Sequence, residues 1–279
     1  VRRRRMKKPV RLTISFFAMT VLLITAGIGL FSAVIGQYND STGDEKWVNI
    51  NLSSETKELI KASNNKDYET NLANYSELLA TLQVHEKYAD EIERLLIEGH
   101  NLPDILTAYS FLNDNFGRLE ELETLVLKKE EGKSWTDIFS KYNKENPEFV
   151  PRSFEAGYIE EVMKDSTITA DDIMLADRVS QKSGKTMQEI MEKRMLGESW
   201  KEINAWLDIL NGDEVLPRVT VSPEQIDKYV NAGMDREVVV KGYVIAMKLS
   251  KKADTVMKEL KEGTRVEELL DSYYTHKYY

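Results

Sequence analysis

The chain has 279 residues, 42% of them hydrophobic, which is enough apolar material for a real core and excludes a disordered tail. It contains no cysteine, which excludes disulfides, thiolate metal sites and cysteine nucleophiles and fits an extracytoplasmic protein without covalent staples. The formal net charge of −9 is split: the first twelve residues hold seven basic side chains and no acid, and the remainder carries 31 basic against 47 acidic residues, or −16, a body that repels nucleic acid and anionic surfaces.

The basic residues Arg2, Arg3, Arg4, Arg5, Lys7, Lys8 and Arg11 form a stub over 1–11 that resists translocation and favours the cytoplasmic leaflet. From Leu12 to Gly36 no residue is charged, and those 25 positions make a helix of about 37 Å against a hydrocarbon core of about 30 Å. The run is too long for a signal-peptide core, and Phe31 is too bulky for the −3 position of a cleavage site near Ala33, so 12–36 is predicted to be a single transmembrane helix. Gly27 and Gly29 lack the four-residue spacing of a close helix–helix contact. The expected location is the cell membrane, with the N-terminus cytoplasmic and the bulk of the chain extracytoplasmic. The composition points to a bacterial envelope.

Residues 37–52 read as a polar spacer, with the turn-rich Asn39 to Asp44 next to the bilayer. A helical segment is expected over 53–88, with Ser53 or Ser54 capping a first helix and Leu72, Tyr75, Leu79 and Leu82 on one face of a second.

Beyond that the chain repeats. The Ile-acidic pattern at Ile92, Ile159 and Ile226 recurs at spacings of 67 and 67, with Gly99, Ser166 and Gly233 each seven residues further on. A second landmark, Gly132-Lys133-Ser134-Trp135, Gly197-Glu198-Ser199-Trp200 and Gly263-Thr264-Arg265-Val266, recurs at 65 and 66. Two landmarks with one period predict three units of about 66 residues, over 89–145, 153–210 and 222–279, in an all-α repeat array.

Punctuation divides each unit into helices. A short helix ends at Gly99 or Gly233, where glycine takes the left-handed terminal conformation. A second helix opens at Pro103 or at the Thr169-Ala170-Asp171-Asp172 capping box. The next one ends at Gly132, Gly197 or Gly263. A closing short helix is capped by Ser134 with Asp137 and by Ser199 with Glu202, the box moving one position to Thr264 with Glu267 in the third unit. Ser222-Pro223-Glu224-Gln225 opens the third unit. Pro147 with Pro151, and Gly212 with Pro217, mark the connectors.

Candidate chemistry is sparse. Trp135 and Trp200, each following a turn, read first as packing residues between units and second as binding platforms. The Gly-x-Ser-x-x-x-Ile pattern is similar to the first turn of a helix-turn-helix domain, but no basic recognition helix follows Ile138, so no nucleic-acid partner is expected. His85, His100 and His276 share no helical face, and adjacent carboxylates such as Glu120 with Glu121 read as solvated surface. No metal centre, cofactor or catalytic residue is predicted, and none of the phosphate-loop, nucleophile-elbow or HExxH motifs is present. Tyr273, Tyr274, Tyr278 and Tyr279 form a C-terminal aromatic cluster that is either a contact surface or a cover for the open apolar face of the last unit.

The expected function is a membrane-anchored scaffold that binds a protein or an envelope polymer, the acidic body favouring a basic polypeptide, a cationic polymer or divalent ions. A second reading is an accessory or sensor subunit of a membrane complex, which requires a partner because an eleven-residue stub holds no cytoplasmic domain. A third, an enzyme acting on wall polymer, requires a polar cleft with two carboxyl groups about 5–10 Å apart.

Overall fold

The computed structural model describes residues 52–164, 167–216 and 219–279, and among them the secondary structure is helical throughout apart from one isolated bridge. The stub, the segment over 12–36 and the spacer up to 51 lie outside the described residues, as do Ser166 and Pro217. Among the described residues no helix is long and apolar enough to cross a membrane.

The N-terminal segment holds α1 (Ser54–Ser63) and α2 (Tyr68–Thr81). Ser53 caps α1, its hydroxyl accepting from the Thr56 amide at 3.0 Å. Three groups of four helices follow. The first is α3 (Glu86–Ile97), α4 (Leu102–Asn115), α5 (Leu119–Glu130) and α6 (Trp135–Glu145). The second is α7 (Ala156–Val162), α8 (Ala170–Ser183), α9 (Met187–Met195) and α10 (Trp200–Trp206). The third is α11 (Pro223–Val230), α12 (Arg236–Lys248), α13 (Ala253–Lys261) and α14 (Val266–Tyr278). We refer to these groups as units one, two and three.

The break between the second and third helices of each unit is not marked by either sequence landmark. It falls at Phe116, Gly184 and Ser250, all left-handed, with φ of 53°, 73° and 50°. A left-handed residue reverses the chain over a single turn, so α4 folds onto α5, α8 onto α9 and α12 onto α13 as tight hairpins. Only unit two uses glycine there, which explains why the punctuation is hard to read.

Caps set most of the remaining starts. Ser134 accepts from the Asp137 amide at 3.1 Å and Ser199 from the Glu202 amide at 3.2 Å, while the complete reciprocal box forms at Thr169, Thr186 and Ser222. In unit three the start does not shift to Thr264 and Glu267: Arg265 is the cap residue, and the Glu268 carboxylate accepts from its amide at 3.0 Å. That register keeps Val266 where Trp135 and Trp200 stand in the other units.

The core is centred on unit one. One apolar cluster joins α1 to α6 and takes in Ala205 and Leu210 from unit two and Tyr274 and Tyr278 from unit three. A linear array would stack each unit only on its neighbours. Instead α14, the last helix of unit three, packs against α6, α4 and α2, so the last described helix meets one of the first. The Asp271 carboxylate of α14 accepts from the Thr136 amide at 3.1 Å and from its hydroxyl at 2.7 Å, satisfying the first turn of α6 from a different unit.

Unit two is joined to unit one through the segment after α10. Leu210 N–H donates to the Gly117 carbonyl and Leu119 N–H to the Asp208 carbonyl, both at 2.8 Å, which makes the bridge between Arg118 and Ile209. Gly212 is required by proximity rather than by turn geometry: a Cβ there would lie 2.8 Å from the Leu82 carbonyl oxygen and 3.0 Å from that of Gln83. Backbone on both sides leaves little room to yield, so Gly212→Ala is expected to cost about 1–3 kcal/mol, measurable by denaturant unfolding of the full chain.

Candidate functional site

Three constellations stand out once the helices are in place: the aromatic assembly around Trp135, the charged junction of the three units, and a carboxylate and histidine cluster between α3 and α5.

Trp135 and Trp200 are both buried, at 1% and 0% exposure. Trp135 stacks on Phe139, and Phe139 stacks on Phe111 with ring centroids 4.0 Å apart. The Trp200 indole N–H donates to Asp172 at 2.8 Å, and Asp172 also accepts from Arg194 Nε at 2.8 Å and from the Thr169 amide and hydroxyl. Neither tryptophan offers an open face to a ligand. Gly132 and Gly197 end the preceding helices with φ of 86° and 88°, and Gly263 does the same at 96°.

The C-terminal tyrosines divide. Tyr274 and Tyr278 are buried, and the Tyr278 hydroxyl lies 2.7 Å from Ser110 Oγ on α4. The apolar face they cover therefore belongs to unit one and not to the unit that carries them. Tyr273 is partly buried against the same core. Tyr279 remains 56% exposed, with its hydroxyl bonded to Asp104 and 3.3 Å from the Trp135 indole nitrogen. Only Tyr279 retains the exposure that a contact surface needs.

At the junction, the guanidinium of Arg178 on α8 lies 3.9 Å above the Phe116 ring and 5.8 Å from Phe149. Burial pushes Arg178 down to about 10, against the pull of Asp114, Glu148 and Asp213. Lys248 from unit three pairs with Asp114 at 3.4 Å, and Lys241 with Glu148 at 3.0 Å. Lys248 and Lys241 each meet an acid directly, whereas Arg178 feels its acids at longer range and its buried Nε has no hydrogen-bond partner among the described residues.

Burial raises the Asp213 carboxyl at this joint, with Asp114 adding to the shift and the Asn211 hydrogen bond, Lys248 and Arg178 opposing it. A raised carboxyl holds its proton more tightly in the folded state, so its stability contribution is present at low pH and lost as pH rises through the folded value. Asp213→Asn is expected to stabilise the fold at neutral pH and to flatten stability across the acid range, as read by thermal melts at several pH values.

The third constellation sits where α3 ends. Arg94 donates to Glu91 at 2.9 and 2.7 Å, to Glu98 at 2.5 Å and to Glu123 of α5 at 2.7 Å. His100 Nδ1 lies 2.8 Å from Glu130 Oε1, also on α5. One ligating atom from each of Glu98, His100 and Glu123 falls within 4.8 Å of the others. Helical spacing within one element does not reveal this grouping, because it is assembled across the α3–α4–α5 turn structure. The one local sign in the sequence is His100 after Gly99, where Met234 follows Gly233 in unit three.

His85 caps α3 by accepting from the Lys87 amide at 3.1 Å, and its Nε2 lies 3.2 Å from Glu202. Shallow, open surface depressions lie along α14, beside Glu268, Asp271, Thr275 and His276, and along α6, beside Ser140 and Lys144. Compared with protein-family models, characterised proteins and solved structures, the chain shows no match.

Proposed function

We propose that this protein is a membrane-anchored, extracytoplasmic helical-repeat scaffold that binds a basic partner, preferentially a protein, through its acidic surface. The anchor rests on the uncharged run over 12–36 and the basic stub before it. The carrying observation is the placement of charge. Residues 52–279 hold 30 basic against 44 acidic side chains, a net of −14, and among the described carboxylates only Asp104, Asp172 and Asp177 are buried. The acid excess therefore faces solvent, where it steers cationic partners and repels nucleic acid.

Trp206 favours a protein partner, whether the chain serves as a scaffold or as an accessory subunit of a membrane complex. It is 41% exposed, with Lys193 Nζ 4.7 Å and Lys185 Nζ 5.5 Å from its ring. The corresponding positions of units one and three are Lys141 and Ser272. Packing between units does not call for this tryptophan, and exposed tryptophans are frequent anchors of protein interfaces.

The test is crosslinking of the full chain in its own membranes, at low and high salt, with Trp206→Ala alongside. A specific basic protein whose capture falls about tenfold or more in Trp206→Ala and weakens as salt shortens the screening length supports the reading. Capture indifferent to both changes overturns it. Degradation of isolated cell wall by the same protein would replace the scaffold with an enzyme and direct attention to the exposed carboxylates.

A further inference from the structure

The second helix of each unit runs into the left-handed residue that folds it back, Phe116, Gly184 or Ser250. The residues three, six and ten positions before that point lie in one stripe along the helix. In unit one they are Asn113, Ser110 and Leu106, all buried, with Tyr278 of α14 against Ser110 and the Asn211 side-chain amide donating to the Asn113 carbonyl at 3.1 Å. In unit two they are Gln181, Arg178 and Met174. There Arg178 stacks on Phe116, and the Gln181 amide donates to the Val150 carbonyl of the connector at 3.1 Å. Both stripes are met by a segment from elsewhere in the chain.

In unit three the stripe is Met247, Val244 and Val240, and it faces solvent. Val240 and Met247 are each 39% exposed, Val244 is half-buried, and none of the three belongs to the apolar clusters of that unit. They fall within about 60° of the helix circumference, across from the buried Gly242 and Ile245. A surface helix ordinarily turns polar side chains outward. Here α12 is apolar on both faces, at the very positions where units one and two carry a cover.

We propose that the α12 stripe is a self-association surface, on which a second copy of this chain seats its own α12 in the antiparallel sense. The spacing of four and then three residues along Val240, Val244 and Met247 is that of a seam between paired helices. A two-fold axis at Val244 sets that side chain on its counterpart. It also sets Val240 beside Met247 of the second copy, twice over, because an interface between like copies repeats each contact. Charge selects the direction. Arg236, Lys241 and Lys248 are answered within the chain by Asp227, Glu148 and Asp114. Glu237, three residues before the stripe, and Lys251, four residues after it, remain. Antiparallel pairing brings these two together at both ends of the seam, whereas parallel pairing sets like on like. One helix from each copy makes an interface below about 1,200 Å², so the association is weak and exchanging. The inference uses neither the anchor nor a basic partner, and stands apart from the scaffold reading.

The experiment follows the full chain in detergent by sedimentation velocity over a range of concentrations. The chain has no cysteine, so Val244→Cys supplies a single thiol at the axis, with Val238→Cys and Ile97→Cys as exposed controls off the stripe. Under mild oxidation Val244→Cys should form disulfide-linked dimer at least about tenfold faster than either control, since only there do two thiols come within bonding distance. Val244→Lys should abolish the dimer. Glu237→Lys should weaken it about tenfold, and Glu237→Lys combined with Lys251→Glu should restore it. Circular dichroism checks that each variant folds, and if Val244→Lys does not, the charge exchange decides. A chain that stays monomeric up to about 1 mM overturns the proposal. Equal oxidation of the three cysteine variants, or a dimer indifferent to Val244→Lys and to Glu237→Lys, does the same. A photo-crosslinker carried by Val244→Cys in membranes that captures a different protein and no second copy assigns the stripe to another partner, and also overturns it.

Discussion

Truncating the chain after Gly263, which removes α14, is expected to expose the core of unit one and to abolish cooperative folding of α4 and α6. Tyr274 and Tyr278 are 4% and 2% exposed and belong to the cluster that holds Ile105, Phe111 and Phe139. Removal of a buried aromatic side chain costs about 3–5 kcal/mol, and a domain of this kind has about 5–15 kcal/mol in total. Losing both, together with the Asp271 bonds to Thr136 at 2.7 and 3.1 Å, consumes most of that margin. Hydrogen exchange reads the result directly. Loss of protection in α4 and α6, far from the cut in sequence, is the expected pattern. A linear array would show loss confined to unit three. Tyr278→Phe removes only the hydroxyl contact with Ser110 and should cost about 1 kcal/mol.

The second large effect is expected at Trp200. Trp200→Ala should destabilise the chain by about 3–5 kcal/mol, since the side chain is wholly buried beside Ile173, Ile190 and Ile203. Trp200→Phe separates two contributions, because it keeps apolar volume and removes the indole donor to Asp172. About 1–3 kcal/mol is expected for leaving that acceptor underserved. The two variants also differ from the parent in acid. Burial pushes the Asp172 carboxyl up, but the hydroxyl and amide of Thr169, the Trp200 indole and Arg194 together outweigh it and hold it below the ordinary carboxylate range. A depressed carboxylate stabilises above its unfolded value, and the contribution is lost as pH falls through the folded value. Removing the indole donor raises the folded value, so Trp200→Phe should begin to lose stability at higher pH than the parent, as seen in acid titration followed by circular dichroism.

The helical class and many helix starts were legible in the sequence because they rest on local chemistry. A serine or threonine cap acts within four residues, and a left-handed glycine within one turn. Ser134, Ser199, Thr169, Gly132 and Gly197 therefore mark the same boundaries in the sequence and in the structure. The hairpin breaks at Phe116 and Ser250 were not legible, since nothing local marks a phenylalanine or a serine as left-handed. Tertiary packing imposes that conformation.

The sequence by itself determined the helical class, the caps that start many of the helices, where the acid excess lies and where the apolar run precedes it. Each depends on composition and near neighbours. Tertiary structure alone decided that unit one is the hub, that the C-terminal tyrosines fill its core, and that Glu98, His100 and Glu123 converge. Those outcomes depend on which apolar faces meet, and the burial of a face is shared between elements distant in the chain. Tyr278 carries no local mark that distinguishes a core residue of α4's unit from an exposed one. Its hydroxyl meets Ser110 only because α14 folds back across 168 residues to do so.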